Sequence, residues 1–166
     1  MKIFTKRLGE ITVDADQIIE MKAPILGFEQ LKRFVILTEE SNKPFSWFQS
    51  IENEAIAFLI VNAELIKADY NPDIPKKDLD LLEGEENDQG IFKVAILTLR
   101  RSPFAVTANL RAPIVINLNK RLAKQIVLED DDYPIRYTIY EGSAETGENK
   151  DNEAAGIAGN KVPSPL

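Results

Sequence analysis

The sequence predicts a mainly β fold built from successive antiparallel strands. Three observations predict it: apolar runs of strand length recur along the chain, turn-forming residues separate them, and one segment alone carries helix signals. The composition changes after residue 140, where Gly, Ala, Ser, Asn and Glu replace the large apolar residues. Such a segment buries too little apolar surface to offset its ordering entropy. We therefore expect one domain over residues 1–140 and a flexible tail over residues 141–166.

The first elements are a hairpin and a structured loop. Lys2–Thr5 and Glu10–Val13 flank a turn that contains Gly9, so they are predicted to pair. After this hairpin, a single turn capped by Asp14 or Asp16 and a short strand at Gln17–Glu20 both remain open. Ala23–Phe28 contains a proline and a glycine, which favours a loop with its apolar residues packed beneath it.

Three strands are predicted next, at Phe34–Leu37, Ser46–Gln49 and Ala55–Val61. The third is apolar at every position, which is typical of a central strand buried on both faces. Side chains alternate along a strand, so Trp47 and Phe48 point to opposite faces. At least one of them is expected near the surface.

A change of pattern follows in an acidic region. Asp69–Asp73 predicts an irregular connector, and Pro75 favours the start of a short helix that contains Asp78–Leu82. Glu83–Gly90 then predicts an acidic loop. The segment 64–88 holds nine acids and three bases, whereas the segment 91–124 holds seven bases and no acid. The domain is therefore predicted to be strongly dipolar.

The last predicted strands surround Thr107–Asn117, TANLRAPIVIN. Ile91–Leu99 predicts a strand that turns into Phe104–Asn109. Pro113 lacks an amide hydrogen and disfavours a helix, so the next strand is entered at a sheet edge or a bulge and pairs with Leu122–Leu128. The motif residues Asn109, Pro113 and Asn117 are assigned mainly to shaping this turn and strand, since an Asn side chain can satisfy loop backbone groups.

Composition excludes several kinds of chemistry. The 166 residues include no Cys and no His, which removes thiolate and imidazole chemistry and zinc fingers. There is no glycine-rich phosphate loop and no Gly-x-Ser-x-Gly elbow, so we predict no catalytic residue, cofactor or metal site. No apolar run is long enough for a signal peptide or a membrane span, and we expect a soluble cytoplasmic protein. The net charge of −7 argues against general nucleic-acid binding.

Several short motifs together resemble one known family. In chain order the motifs are ILGF, FVIL, WFQS, AIAFLIVN, VAILTL, TANLRAPIVIN and KQIVL. They occur in the order found in the bacterial flagellar assembly factor FliW. The resemblance covers residues 1–140. It implies a non-enzymatic regulator with a small, mostly antiparallel β-barrel-like fold. Proteins of this family bind flagellin in the cytoplasm and also bind the translational repressor CsrA, and we expect a monomer.

Two sets of contact residues and one alternative follow. CsrA-type proteins are basic because they bind RNA, so the acidic segment is the predicted complementary surface. The candidates for CsrA are Asp69, Asp73, Asp78, Asp80, Glu83, Glu85 and Glu86. An amphipathic flagellin helix would lie in an apolar groove, and the candidates for lining it are Trp47, Phe48, Phe92 and Phe104. The alternative function is an RNA-binding module that uses the basic segment, with Lys93, Arg100, Arg101, Arg111, Lys120, Arg121 and Lys124.

Overall fold

The computed structural model describes residues 1–129 and 132–142, which form ten strands and two short α-helices. The strands are β1 Lys2–Thr5, β2 Gly9–Thr12, β3 Ile19–Met21, β4 Arg33–Leu37, β5 Ser46–Ser50, β6 Ala57–Asn62, β7 Ile91–Arg101, β8 Phe104–Asn117, β9 Leu122–Gln125 and β10 Tyr137–Glu141. The helices are α1 Ala63–Ile66 and α2 Lys76–Leu81, and single 3-10 turns lie at Ala15–Gln17 and Glu40–Asn42.

Seven of the strands close into a barrel. From β3 to β8, each strand pairs with the next strand along the chain. β9 closes the barrel, because it pairs antiparallel with β8 and parallel with β3. β10 adds to the free part of β8 outside the barrel, and β1 and β2 form a separate hairpin. The predicted mainly β fold and the barrel that the family resemblance implies are both confirmed.

The barrel interior is filled by alternate residues of each strand. Phe34 and Phe48 stack there with ring centroids 4.5 Å apart, and both are fully buried. Ile60, Ile114 and their neighbours complete this core. Burying each such side chain contributes about 1.5 to 3 kcal/mol, so the alternation of apolar residues is what holds the strands in register.

The hairpin of β7 and β8 extends beyond the barrel. β6 pairs with β7 only as far as Ile96, whereas β7 and β8 stay paired to Arg101 and Phe104. We call the part of the sheet outside the barrel the wing: residues 96–101 of β7, residues 104–109 of β8, and β10. The wing's other face packs on a second core that contains Tyr70.

A large bulge separates the wing from the barrel. Val94 pairs with Ile114 but Ile96 pairs with Asn109, so one residue of β7 faces four residues of β8. Pro113 lies in this bulge, as its missing amide predicts. The structure has one continuous strand here, where the sequence predicts two strands and a turn between them.

Several other elements differ from the predictions. The structure has a helix at α1 that was not predicted, because a single turn capped by the Asn62 side chain has no periodic apolar signal. β6 was predicted to be buried on both faces, but Phe58 and Leu59 are half-exposed because the β7 partner strand diverges from them. β10 was not predicted either, and it includes Glu141 from the predicted tail. The rest of that tail, residues 143–166, lies outside the described residues.

Candidate partner-binding surfaces

The acidic segment forms a cleft beside helix α2. This acidic cleft has a volume of about 560 Å³ and an apolar floor of Ile74 and Leu79. Its charged lining residues are Lys76, Asp80, Glu83, Glu85, Glu86 and Asp88. One base therefore faces five carboxylates, which gives the cleft a strong negative potential.

The described residues neutralise only part of this charge. Lys76 Nζ donates to Asp80 Oδ1 at 2.8 Å, one helical turn away, and Asp88 accepts a hydrogen bond from the Glu85 amide. The Asp80 carboxylate, with a smaller effect from Glu85, raises the pKa of Lys76. Within the described residues no salt bridge reaches Glu83, Glu85 or Glu86. These carboxylates are exposed on the surface.

The other predicted acidic contacts lie elsewhere. Asp69 is paired with Lys67 at 2.6 Å, and this ion pair lowers the pKa of Asp69. Asp73 is exposed on a neighbouring cavity. The assignment of Asp78 as a contact residue is wrong for this conformation, because its side chain is buried and forms an ion pair with Lys124.

The acidic loop is held at both ends by the turn that follows β8. Asn117 Nδ2 donates to the carbonyls of Leu82 and Glu83 at 2.9 and 3.3 Å. At the far end of the loop the Leu118 amide donates to the Gly90 carbonyl at 2.9 Å. A Cβ on Gly84 would lie 2.4 Å from the Ile91 side chain, so the loop approaches the barrel closely. The buried Asn117 amide thus positions the acidic cleft.

The two motif asparagines use the same local chemistry. Asn117 Oδ1 accepts hydrogen bonds from the amides of Asn119 and Lys120, and Asn109 Oδ1 accepts from the amides of Arg111 and Ala112. Each side chain therefore replaces ladder partners that the chain loses at a turn or a bulge.

The four aromatic candidates do not share a groove. Phe48 and Phe104 are buried in two different cores, so their assignment as lining residues is wrong for this conformation. Side chains alternate between the two faces of a strand, so the strand register directs Phe48 and Phe104 into the cores and their chain neighbours to the opposite face. Trp47 is half-exposed, in agreement with the prediction that at least one of Trp47 and Phe48 lies near the surface. The Arg7 guanidinium lies 3.7 Å above the centre of its ring. Phe92 packs beside the barrel core, next to a small apolar cavity of about 170 Å³.

The seven bases of the alternative RNA-binding surface are separated. Arg100 and Arg101 lie at one end of the β7–β8 hairpin, and Lys120 and Arg121 follow its other end. Roughly 30 Å of strand lies between the two ends. Lys124 is engaged by buried Asp78, and Lys93 and Arg111 reach Asn71 Oδ1 and the Tyr133 carbonyl. The described residues thus do not form the contiguous basic face that this function needs.

A second concave surface was not predicted. We call it the wing groove: a cavity of about 680 Å³ on the wing face that continues the barrel interior. Its floor is a cross-strand row of Thr98, Thr107 and Thr138, and Arg100 and Arg136 lie at its two ends. Polar residues at every second position of this part of β7 and β8 are a sequence signal for the groove face. The third strand of the groove, β10, depends on a pairing with β8 that the sequence does not reveal.

Three further features bear on the class of protein. Burial raises the pKa of Glu52, but its carboxylate accepts hydrogen bonds from Arg33, which lower the pKa. The net result is a pKa of Glu52 below its ordinary value. An acid–base enzyme would use a carboxyl group shifted the other way. Among the described residues no cluster of Asp and Glu is suited to hold a metal ion. No helix in that part of the chain is long and apolar enough to cross a membrane.

Comparison with known proteins gives a consistent result. The family model described as FliW protein matches residues 2–139. The flagellar assembly factor FliW of Syntrophus aciditrophicus is 42% identical over 139 residues, which cover 84% of this chain and 87% of that protein. The FliW of Geobacter sulfurreducens is 36% identical over 144 residues, or 87% of this chain and 89% of that protein. A crystal structure of the flagellar assembly factor FliW aligns with a TM-score of 0.75 at 33% identity and covers 84% of this chain and 97% of that one.

Proposed function

Because the chain belongs to the FliW family of flagellar assembly factors, we propose that it binds the translational regulator CsrA and, separately, flagellin in the cytoplasm. Binding to CsrA would relieve the repression of flagellin mRNA translation. Flagellin that accumulates would occupy the protein and release CsrA, so that the flagellin level feeds back on its own synthesis. The function is regulatory and not enzymatic.

The acidic cleft is the observation that carries the CsrA part of the proposal. It presents Glu83, Glu85 and Glu86, which have no salt-bridge partner in the part of the chain that the structure describes, around an apolar floor, and the chain has a net charge of −7. An RNA-binding repressor presents a basic surface, so opposite potentials would steer the encounter and set the orientation. Of the predicted acidic contacts, we retain Asp69, Asp73, Asp80 and these three glutamates, and leave out only the buried Asp78.

The apolar floor gives this surface more than charge. Ile74 and Leu79 are buried at the base of the cleft, beneath the ring of carboxylates. A partner that places an aliphatic side chain over them would exclude water from the surrounding ion pairs. Ion pairs are stronger when water is excluded from them. We expect such a central anchor to supply affinity and the glutamates to supply association rate and specificity.

The test is a set of calorimetric titrations of the full chain. CsrA and flagellin from the same source are each titrated into the protein alone, and then into the protein saturated with the other partner. The proposal predicts binding to both, with each partner weakening or displacing the other. A folded protein that binds neither partner would overturn it. Binding of both with unchanged affinities would overturn the exchange mechanism alone.

A further inference from the structure

The wing groove has a regular lining that is set by strand register. Arg100, Ala105 and Glu141 form one row across the three strands, and the three threonines Thr98, Thr107 and Thr138 form the next. Ile96 and Asn109 form a third row, with Arg136 beside them on the chain that enters β10. Side chains on this face are short at the centre and long at the ends, which makes the face concave.

The floor chemistry limits what can bind there. A threonine hydroxyl that is covered by a purely apolar surface loses its hydrogen bonds to water, at a cost typical of a buried unsatisfied group. The occupant must therefore offer small hydrogen-bonding side chains, such as Ser, Asn or Gln, above Thr98, Thr107 and Thr138. Apolar contact is available at one end, where the Ile135 side chain is 56% exposed.

The dimensions of the groove match an α-helix. Neighbouring strands lie about 4.8 Å apart, so the outer strands of the wing are about 10 Å apart, which is the diameter of a helix. From Ile96 to Arg100 the groove runs about 13 Å, or between two and three helical turns. An extended peptide would fill less of a cavity of about 680 Å³.

Addition of a strand to the wing edges is disfavoured. β10 has a bulge between Thr138 and Tyr140, which interrupts its outer edge. The free edge of β7 carries Arg100 and Arg101 in succession. Bulges and charged side chains are the usual means by which proteins protect edge strands from pairing. The concave face is left as the open surface of the wing.

The charge of the groove is opposite to that of the acidic cleft. Arg100 donates only its Nε to a carbonyl, that of Pro103, and Arg136 has no salt-bridge partner among the described residues. Among the described residues, Glu141 is the single acid that lines the groove. In a chain with a net charge of −7, a groove with two exposed guanidinium groups favours an occupant with carboxylates near its ends.

We propose that the wing groove is the docking site for an acidic amphipathic helix of two to three turns, with small polar side chains facing the threonine row and carboxylates facing Arg100 and Arg136. The inference rests on the proposed function, in which flagellin is the protein that supplies such a helix. It moves the flagellin surface from the four predicted aromatic residues to the wing, whose central Thr98 is about 23 Å of strand from Ile91 at the end of the acidic loop.

The first experiment uses flagellin as the probe and CsrA as the folding control. Calorimetry compares the native chain with Arg136→Glu and Thr138→Trp, both at exposed positions, and with Lys32→Glu as a matched exposed charge reversal. We expect flagellin affinity to fall about tenfold or more in the two wing variants, with CsrA affinity and the Lys32→Glu variant unchanged. Equal flagellin affinity in all four proteins would overturn the groove assignment.

A second probe tests the groove if flagellin does not bind the native chain, a result that would count against the proposed function only. Two acetylated helical peptides of Ala and Gln are compared, one with Glu near both ends and one with Lys. We expect the Glu peptide to shift the NMR amide signals of Thr98, Thr107 and Thr138, and Thr138→Trp to abolish the shift. No shift, or an equal response to the Lys peptide, would overturn the inference.

Discussion

The acidic cleft and the wing groove lie at opposite ends of the β7–β8 hairpin and are built in different ways. The cleft is a loop whose carboxylates at Glu83, Glu85 and Glu86 have no salt-bridge partner among the described residues, and the Asn117 side chain and the Leu118 amide hold its two ends. The groove is a sheet face whose residues are fixed by strand pairing, on the far side of the bulge at Pro113. Charge in the cleft can therefore change without disturbing the fold, whereas the groove depends on the register of three strands.

The largest expected effect separates the two motif asparagines. Asn117→Ala removes a buried side chain that serves two carbonyls and two amides, and we expect the free energy of unfolding to fall by about 3 to 4 kcal/mol. Asn109→Ala removes two bonds at a half-buried site and is expected to cost about 1 to 2 kcal/mol. Urea unfolding measures both. Equal losses would contradict the view that the amide of Asn117 anchors the acidic loop.

A second prediction distinguishes acids that build the fold from acids that are free. Asp78→Ala leaves the Lys124 ammonium without its buried partner and is expected to cost about 2 to 3 kcal/mol of unfolding free energy. Glu85→Ala changes an exposed side chain and is expected to lie within about 0.5 kcal/mol of the native chain. The same urea titration compares them. A loss at Glu85 as large as that at Asp78 would contradict the division of the acidic segment.

A third and smaller effect concerns pH. Because the folded pKa of Glu52 is lowered, its contribution to stability is present above the unfolded value of 4.5 and is lost as the pH falls through the lower folded pKa. Glu52→Gln is expected to reduce the unfolding free energy by a few tenths to about 1 kcal/mol at pH 7. The difference from the native chain should shrink below pH 4.5. Thermal unfolding across pH measures it, and a difference that grows in acid would contradict the assignment.

The comparison also shows which features a sequence can reveal. The first hairpin and α2 follow from local signals, the turn at Gly9 and the proline before the helix. The separation of Asp78 from the free acids does not, since its partner Lys124 is 46 residues away. The wing groove depends on β10, whose pairing with β8 brings Thr138 beside Thr107. Long-range pairing and strand register decide such sites, and neither is written in a local pattern.

The bulge at Pro113 explains why the structure has one continuous strand at Phe104–Asn117, where the sequence predicts two strands and a turn. Asn109 captures two amides that would otherwise join the β7–β8 ladder, and Pro113 has none to offer. The sequence signals there are typical of a turn. The pairs on either side of the bulge, formed by Val94 and Ile96 of β7, nevertheless keep the strand continuous. Local chemistry thus predicts the irregularity, while tertiary pairing decides that it is a bulge.

We propose that the two ends of the β7–β8 hairpin serve different partners. It is tested most directly by calorimetry on a variant in which Glu83, Glu85 and Glu86 are all replaced by Lys, with CsrA and flagellin titrated separately at low and high salt. We expect CsrA affinity at low salt to fall about tenfold or more and its salt dependence to flatten, with flagellin affinity unchanged. Unchanged CsrA affinity at low salt, or an equal loss of both partners in a folded variant, would contradict the claim.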